Sequence, residues 1–189
     1  MLQGIVAAYR DVPGTFARRL KAPPGEPRLM MYAFLIGLVG FLAGLPGTLA
    51  EARTAIAATG EGDLSSHVMA ALFGAIFLFP LFLYGLAALV RVISRMFGGR
   101  GSGEVTRHAV FWGMLLGTPL AALGTLVGGT GSALFVFGLN ILLFIAFIWI
   151  LAGTVMVAER FESRLRVMLG FFVPSLFFFG LVLLSSPSG

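Results

Sequence analysis

Few residues in this chain carry side chains that could do chemistry. The chain has no cysteine, so disulfides, thiolate metal sites and cysteine nucleophiles are excluded. Its two histidines, His67 and His108, lie too far apart in sequence to form a metal-binding motif by themselves, and both are expected at a membrane interface. The sequence therefore predicts no catalytic residue, no metal site and no cofactor.

The long apolar runs contain no Asp, Glu, Lys or Arg that could carry protons or ions. An Asp, Glu, Lys or Arg within a membrane span usually marks such a path. Residues 29–50, 64–90 and 108–158 contain none of these four types. A proton-coupled transporter would lack its usual relay in these runs, which weighs against that class.

Asn140 is the most polar residue well inside an apolar run. A side-chain amide in hydrocarbon needs a partner, and hydrogen bonds between membrane helices contribute roughly 0.6–2 kcal/mol. The simpler interpretation of Asn140 is a packing hydrogen bond. The alternative is contact with a substrate or an ion.

Small residues and prolines are the other features of the apolar runs. Glycines recur at four-residue spacing, which lets helix backbones approach closely, and the pairs are Gly40 with Gly44 and Gly113 with Gly117. This spacing predicts close packing within the chain, with contacts between copies as the alternative. Pro80 and Pro119 each free a backbone carbonyl and can kink a helix, as prolines do in transporters and in ordinary membrane bundles.

The elements that must position these residues are membrane helices. Of the 189 residues, 58% are hydrophobic and 11% charged, whereas a soluble domain has about 25% charged residues. The apolar runs are continuous, whereas barrel strands would alternate. We predict an all-α polytopic membrane protein with five transmembrane helices in a bundle, preceded by an amphipathic N-terminal helix. Residues 1–28 form the cytoplasmic basic segment and residues 29–189 the membrane domain, with spans at about 29–50, 64–90, 108–127, 133–158 and 167–184.

Charge is distributed unequally between the two sides of this predicted topology. Five basic residues precede the first span, four lie between the second and third, and three between the fourth and fifth, which makes 12 of 13. The positive-inside rule then predicts a cytoplasmic N-terminus and an external C-terminus. It also explains the net charge of +5 without nucleic acid as a partner. Frequent Arg, Gly and Ala are typical of GC-rich bacteria, so we expect a multi-pass protein of a bacterial inner (cytoplasmic) membrane.

The N-terminal segment carries an apolar stripe at helical spacing. Arg18, Arg19 and Lys21 lie near this stripe, and each could add about 1 kcal/mol of attraction to anionic lipid. We expect an interfacial helix on anionic headgroups; the alternative is a helix packed on the cytoplasmic end of the bundle, with Pro13 dividing it. The stripe consists of Leu2, Ile5, Val6, Tyr9, Val12, Phe16 and Leu20.

One stretch of sequence suggests a family. Residues 81–85, the basic segment 91–97 and the Gly98-Gly99-Arg100-Gly101-Ser102 turn are followed by a span with a mid-helix proline. This stretch resembles the bacterial Yip1-domain proteins. The resemblance implies five spans, a cytoplasmic N-terminus and a role in membrane organisation or trafficking; eukaryotic relatives bind small GTPases and contribute to membrane shaping.

The sequence as a whole predicts a non-enzymatic membrane scaffold or accessory protein. It would act through the anionic lipid bilayer, a membrane-protein partner or a homo-oligomer. The alternative is a small transporter or channel, oligomeric or not, that uses Asn140 and the proline kinks. The longest predicted connections, residues 91–107 and 51–63, are too short for a soluble domain. The glycine-rich part of residues 91–107 is not a phosphate-binding loop, since no Gly-Lys-[Ser/Thr] follows it. It is expected to be a flexible connector.

Overall fold

The computed structural model of the chain describes residues 8–60, 62–127 and 132–170, and all regular secondary structure in these residues is helical. Residues 8–10 and 164–170 are also helical, and most of the predicted fifth span, 167–184, lies outside the described residues. The complete helices within the described residues are α1 (Val12–Arg19), α2 (Glu26–Thr59), α3 (Leu64–Met96), α4 (Gly103–Val127) and α5 (Ala133–Glu159).

Four of these helices, α2 to α5, are long and apolar enough to cross a membrane. They extend beyond the uncharged runs. The 34 residues of α2 span about 51 Å, whereas the hydrocarbon core of a bilayer is about 30 Å thick. The prediction of a loop over residues 51–63 is therefore wrong: α2 continues to Thr59, because uncharged runs mark only the part of a helix that hydrocarbon requires.

Local signals in the sequence set the helix ends. The carboxylate of Asp63 accepts a hydrogen bond from the Ser66 amide at 2.8 Å and caps α3. This bond, with those from the Ser65 and Ser66 side chains, lowers the pKa of the exposed Asp63 carboxyl. At the end of α2, Gly60 adopts a left-handed conformation with φ of 71°.

A π-helical turn at Gly74–Leu78 interrupts α3 just before Pro80. Pro80 has no amide proton, so it cannot donate to the carbonyl four residues earlier. The Phe79 amide instead bonds the Gly74 carbonyl, five residues back. The sequence indicates that Pro80 can kink its helix; in the structure, the turn just before Pro80 is wider than an α-helical turn. Pro119 lies inside α4, on its exposed side.

Helix α4 is the centre of the described bundle and packs against α2, α3 and α5. Gly113 and Gly117 lie where α4 meets α5. A Cβ atom at Gly113 would lie 2.9 Å from a Leu151 methyl, and one at Gly117 would lie within 2.5 Å of the Phe147 ring. These two glycines therefore allow close packing within the chain. A Cβ atom added at Gly40 or Gly44 would have nothing within 4 Å.

The N-terminal part of the described chain packs on the bundle. Val12 and Phe16 of α1 are buried, and α1 contacts α5. Asp11, whose side chain accepts from the Gly14 amide, separates α1 from the helical residues 8–10. The Tyr9 hydroxyl donates to the Leu116 carbonyl of α4, and burial raises the pKa of this phenol. Residues 1–7 of the predicted stripe lie outside the described residues.

Candidate functional site

One end of the bundle gathers most of the basic side chains. The 97–102 and 160–163 connections lie at this end, beside α1 and the start of α2, and we name it the basic end. Arg53 lies towards the other end of α2. The grouping of basic segments that the sequence predicts is therefore present in the described bundle. The exposed basic side chains of the basic end are Arg10, Arg18, Lys21, Arg28, Arg95, Arg100, Arg160 and Arg166.

A fully buried carboxylate, that of Glu159, lies at the centre of the basic end. Glu159 is the last residue of α5. Its Oε2 pairs with Arg91 Nη1 of α3 at 2.5 Å and accepts from the Gly101 amide at 3.0 Å. Its Oε1 accepts a very short hydrogen bond from the Thr106 hydroxyl of α4. We name Glu159, Arg91, Gly101 and Thr106 the Glu159 cluster; it joins α3, α4, α5 and the loop between α3 and α4.

The glycine-rich loop is held against the Glu159 cluster, which differs from the flexible connector expected from its composition. The Gly99 amide donates to the Ser94 carbonyl at 2.8 Å, and the Arg100 amide donates to the Glu159 carbonyl at 2.9 Å. A Cβ atom at Gly101 would lie 2.3 Å from the Ala158 carbonyl oxygen, and one at Gly99 would lie 2.7 Å from Glu159 Oε2. Glycine is therefore required at both positions, because a side chain would push the loop off α5.

Sequence reasoning missed Glu159 because this residue stands one position beyond an uncharged run. The run 108–158 marks a membrane-compatible stretch, and a charge at its edge is expected in the headgroup region. Two features of the sequence pointed to its role: the closely spaced glycines of the loop between α3 and α4, and Arg91 near the C-terminal end of α3. Neither feature identifies Glu159 as the partner of Arg91 unless the fold is known.

A second group of polar side chains connects α2, α3 and α4. Glu26, in the first turn of α2, accepts from the Tyr84 hydroxyl at 2.7 Å and pairs with Arg107 Nη2 at 2.6 Å. The carboxylate also lies at a helix N-terminus, where the helix dipole favours negative charge. We name Glu26, Tyr84 and Arg107 the Glu26 cluster.

The three basic residues predicted to contact lipid differ in their surroundings. The guanidinium carbon of Arg19 lies 3.5 Å from the centroid of the Trp112 ring, and its Nη1 donates to the Tyr32 hydroxyl at 3.2 Å. Arg19 thus contacts α2 and α4. Arg18 is exposed and donates to Thr15, and Lys21 is exposed. Two of the three side chains are therefore open to the surroundings.

Another arginine near α1 contacts an aromatic ring on α5. The guanidinium carbon of Arg164 lies 4.4 Å from the centroid of the Trp149 ring, and a Cβ atom at Gly153 would lie 2.3 Å from Arg164 Nη2. Burial lowers the pKa of Arg164, and the charge of Asp11 opposes this effect. The contact holds the 160–163 connection and the following helical residues onto α5.

Asn140 lies away from the basic end, in the first half of α5. Its Nδ2 donates to the Val136 carbonyl of the same helix at 2.9 Å. A Cβ atom at Gly124 of α4 would lie 2.7 Å from Asn140 Oδ1. The amide thus faces α4 at a close approach, although the residue is exposed overall. It is not brought together with Gly40, Gly44 or the basic residues.

The described chemistry of the basic end is that of ion pairs that connect helices. In residues 8–60, 62–127 and 132–170, no group of three or more His, Asp and Glu side chains could hold a metal ion. The buried carboxylate of Glu159 and the exposed carboxylate of Glu26 each have a basic partner on another helix. Comparison with protein-family models, curated proteins and solved structures finds no match to this chain.

Proposed function

We propose that this chain is a non-enzymatic, multi-pass membrane scaffold or accessory protein that acts through its basic end. The observation that carries this proposal is that the charges at that end form two groups, those paired between helices and those exposed. The Glu159 cluster, with its buried carboxylate, and the more exposed Glu26 cluster use ion pairs to hold α2, α3, α4 and α5 together. Eight other basic side chains remain exposed around them. A rigid support with an outward positive surface suits anionic headgroups or an acidic partner.

Large apolar side chains next to these basic residues support the membrane location of this surface. Met96 and Phe97, at the end of α3, are 79% and 67% exposed, and Leu165 is 61% exposed. Each of them lies within a few residues of an exposed arginine. Apolar and basic groups side by side are typical of segments that lie at the boundary between headgroups and acyl chains.

The finer parts of the proposal rest on sequence. Twelve of 13 basic residues on one side favour a cytoplasmic basic end in a bacterial inner membrane, with five spans and an external C-terminus. The resemblance to the bacterial Yip1-domain proteins favours a role in membrane organisation. The glycine turn in this stretch of sequence is the loop that contacts Glu159.

The proposal is tested by measuring retained lipid. The protein is purified from vesicles of mixed phosphatidylglycerol and phosphatidylcholine, and native mass spectrometry counts the lipids that stay bound. We expect Arg18→Gln with Lys21→Gln to reduce retained phosphatidylglycerol severalfold, and Arg53→Gln, an exposed arginine near the other end, to leave it unchanged. Equal loss in both variants would contradict a lipid role for the basic end.

A membrane-protein partner is tested separately. The protein is extracted from its own membrane into nanodiscs, and co-purified proteins are quantified with and without the two N-terminal substitutions. A stoichiometric partner that is lost with Arg18→Gln and Lys21→Gln but retained with Asn140→Leu is the expected result. Loss with Asn140→Leu alone would move the interaction away from the basic end.

One observation favours a second function, transport of an apolar solute. An open, apolar cavity of about 390 Å³ lies between α2, α3, α4 and α5, within the range of ligand pockets. Gly40 contributes to its wall, whereas Asn140 does not. Solute flux into vesicles that falls with Gly40→Leu and is unaffected by Arg18→Gln with Lys21→Gln would support the transporter and overturn the scaffold.

A further inference from the structure

A small cavity lies beneath α1, where α1 meets α2 and α4. Its volume is about 10 Å³. Two aromatic side chains of α4, His108 and Trp112, contribute to its wall together with Arg19 of α1 and Tyr32 of α2. The rest of the wall is apolar and comes from Phe16, Leu20, Pro24 and Leu29.

Two buried polar atoms of this wall have no protein partner. His108 is 4% exposed and Trp112 is 6% exposed. Neither Nδ1 of His108 nor Nε1 of Trp112 forms a hydrogen bond within the protein. A buried polar group without a partner costs about 1–3 kcal/mol, and such groups commonly bond ordered water.

The second ring nitrogen of His108 determines what Nδ1 can do. A neutral imidazole carries one proton, on one of its two ring nitrogens. With that proton on Nε2, Nδ1 carries a lone pair and accepts. Nε1 of Trp112 can only donate. The cavity thus presents one acceptor and one donor.

We propose that one ordered water molecule binds in this cavity, donating to His108 Nδ1 and accepting from Trp112 Nε1–H. The volume is close to the minimum of roughly 10–15 Å³ that one water needs. Water suits the site because it both donates and accepts; a simple anion could not donate to Nδ1, and a cation could not accept from the indole. Arg19 and Tyr32 carry polar groups that can supply a third partner.

The proposed water extends a chain of contacts where α1 packs on the bundle. The chain runs from the His108 ring through the water to the Trp112 indole, whose ring holds the Arg19 guanidinium. It joins α4 to α1, because Arg19 is the last residue of α1. The position of α1 on α4 would therefore depend on a hydrated contact as well as on buried Val12 and Phe16.

The two histidines and two tryptophans of the chain make this proposal directly measurable by nuclear magnetic resonance. The protein is labelled with ¹⁵N at both residue types and reconstituted in phosphatidylcholine nanodiscs. We expect the Trp112 indole proton to receive magnetisation from a bound water, and His108 Nδ1 to resonate as an unprotonated acceptor. Trp149, 48% exposed beside Arg164, and the half-buried His67 serve as internal references.

A cavity-filling variant distinguishes this water from bulk solvent. Leu20→Phe places extra carbon in the cavity and is expected to abolish the transfer to Trp112, while Leu165→Phe at an exposed position leaves it intact. Absence of transfer in the natural protein, unchanged transfer in Leu20→Phe, or a protonated Nδ1 would each overturn the proposal. If the Trp149 and His67 signals show that Leu20→Phe misfolds, high-resolution crystallographic density between the two nitrogens decides the question.

Discussion

Glu159 is a carboxylate without exposed surface at the C-terminal end of α5, where the helix dipole disfavours a negative charge. Its position is stable only because several donors converge on it from three other segments. A buried ion pair of this kind adds little net stability, but removing one partner leaves an uncompensated charge. We therefore interpret the Glu159 cluster as a device that fixes which helix ends meet.

Loss of the Glu159 charge should destabilise the bundle strongly. Glu159→Gln leaves Arg91, 21% exposed, without a counter-charge, and should reduce the free energy of unfolding by about 3 kcal/mol. The measurement is denaturant unfolding in a fixed lipid–detergent mixture. Glu162→Gln, an exposed carboxylate three residues later, should change stability by less than about 0.5 kcal/mol.

The double variant tests whether the unpaired charge is the cause. Arg91→Met combined with Glu159→Gln removes both charges and keeps an acceptor for Thr106. We expect it to recover about 1–2 kcal/mol relative to Glu159→Gln alone. If the two substitutions simply add, the ion pair does not explain the stability of this end.

The loop between α3 and α4 is an element whose position depends on close packing against α5. It makes a close approach to α5 at Gly99 and Gly101, although the following glycine, Gly103, starts α4 with nothing within 4 Å of an added Cβ atom. Three glycines that look alike in sequence therefore have different environments. The docking of the loop depends on the first two and not on the third.

Gly101→Ala and Gly103→Ala form a matched pair for this element. Gly101→Ala brings a methyl group to 2.3 Å from the Ala158 carbonyl and should cost about 1–3 kcal/mol of stability. Gly103→Ala should be neutral or stabilising by about 0.4–1 kcal/mol, because alanine restricts the unfolded chain. Thermal unfolding of the two variants in nanodiscs measures the difference. Equal midpoints would show that the loop is not docked on α5.

The two glycine pairs of the sequence, Gly40 with Gly44 and Gly113 with Gly117, also differ in their surroundings. Gly117→Ala should destabilise the bundle by about 1–3 kcal/mol, because its methyl group would meet the Phe147 ring between α4 and α5. Gly40→Ala should leave the stability of the single chain unchanged or raise it by about 0.4–1 kcal/mol, because nothing lies within 4 Å of the added methyl group and alanine restricts the unfolded chain. Crosslinking or native mass spectrometry then reports on oligomers: a change in oligomeric state with Gly40→Ala would assign that open glycine face to a contact between copies.

Sequence patterns predicted the elements better than their mutual contacts. Uncharged runs located α2 to α5 because hydrocarbon excludes charge over a fixed length. They could not give the helix ends, since α2 and α3 continue into polar surroundings where charge is permitted. They could not pair Glu159 with Arg91, which lies 68 residues away, because such a contact depends on how helices are arranged. Periodicity likewise suggested an N-terminal helix but not the docking of Arg19 on Trp112.

At the scale of the whole molecule, charge and hydrophobicity are arranged along one axis. The described bundle has the buried Glu159 carboxylate, paired with Arg91, and exposed basic groups at one end, and long apolar helices with exposed Leu and Phe side chains along its length. This arrangement fits a protein whose middle is solvated by lipid and whose basic end meets headgroups. It also makes the sidedness of the chain a direct test of the proposed function.

Single cysteines provide that test, since the natural chain contains none. Ser102→Cys lies in the α3–α4 connection at the basic end, and Thr130→Cys lies in the predicted turn before α5. In intact cells, a membrane-impermeant maleimide should label Thr130→Cys, whereas Ser102→Cys should react only after the membrane is opened. That result requires α4 to cross the membrane once with the basic end inside, as the distribution of arginines predicts. Labelling of both cysteines from one face would contradict the span assigned to α4, and the reverse labelling would place the basic end outside, away from the anionic cytoplasmic leaflet that the proposed function requires.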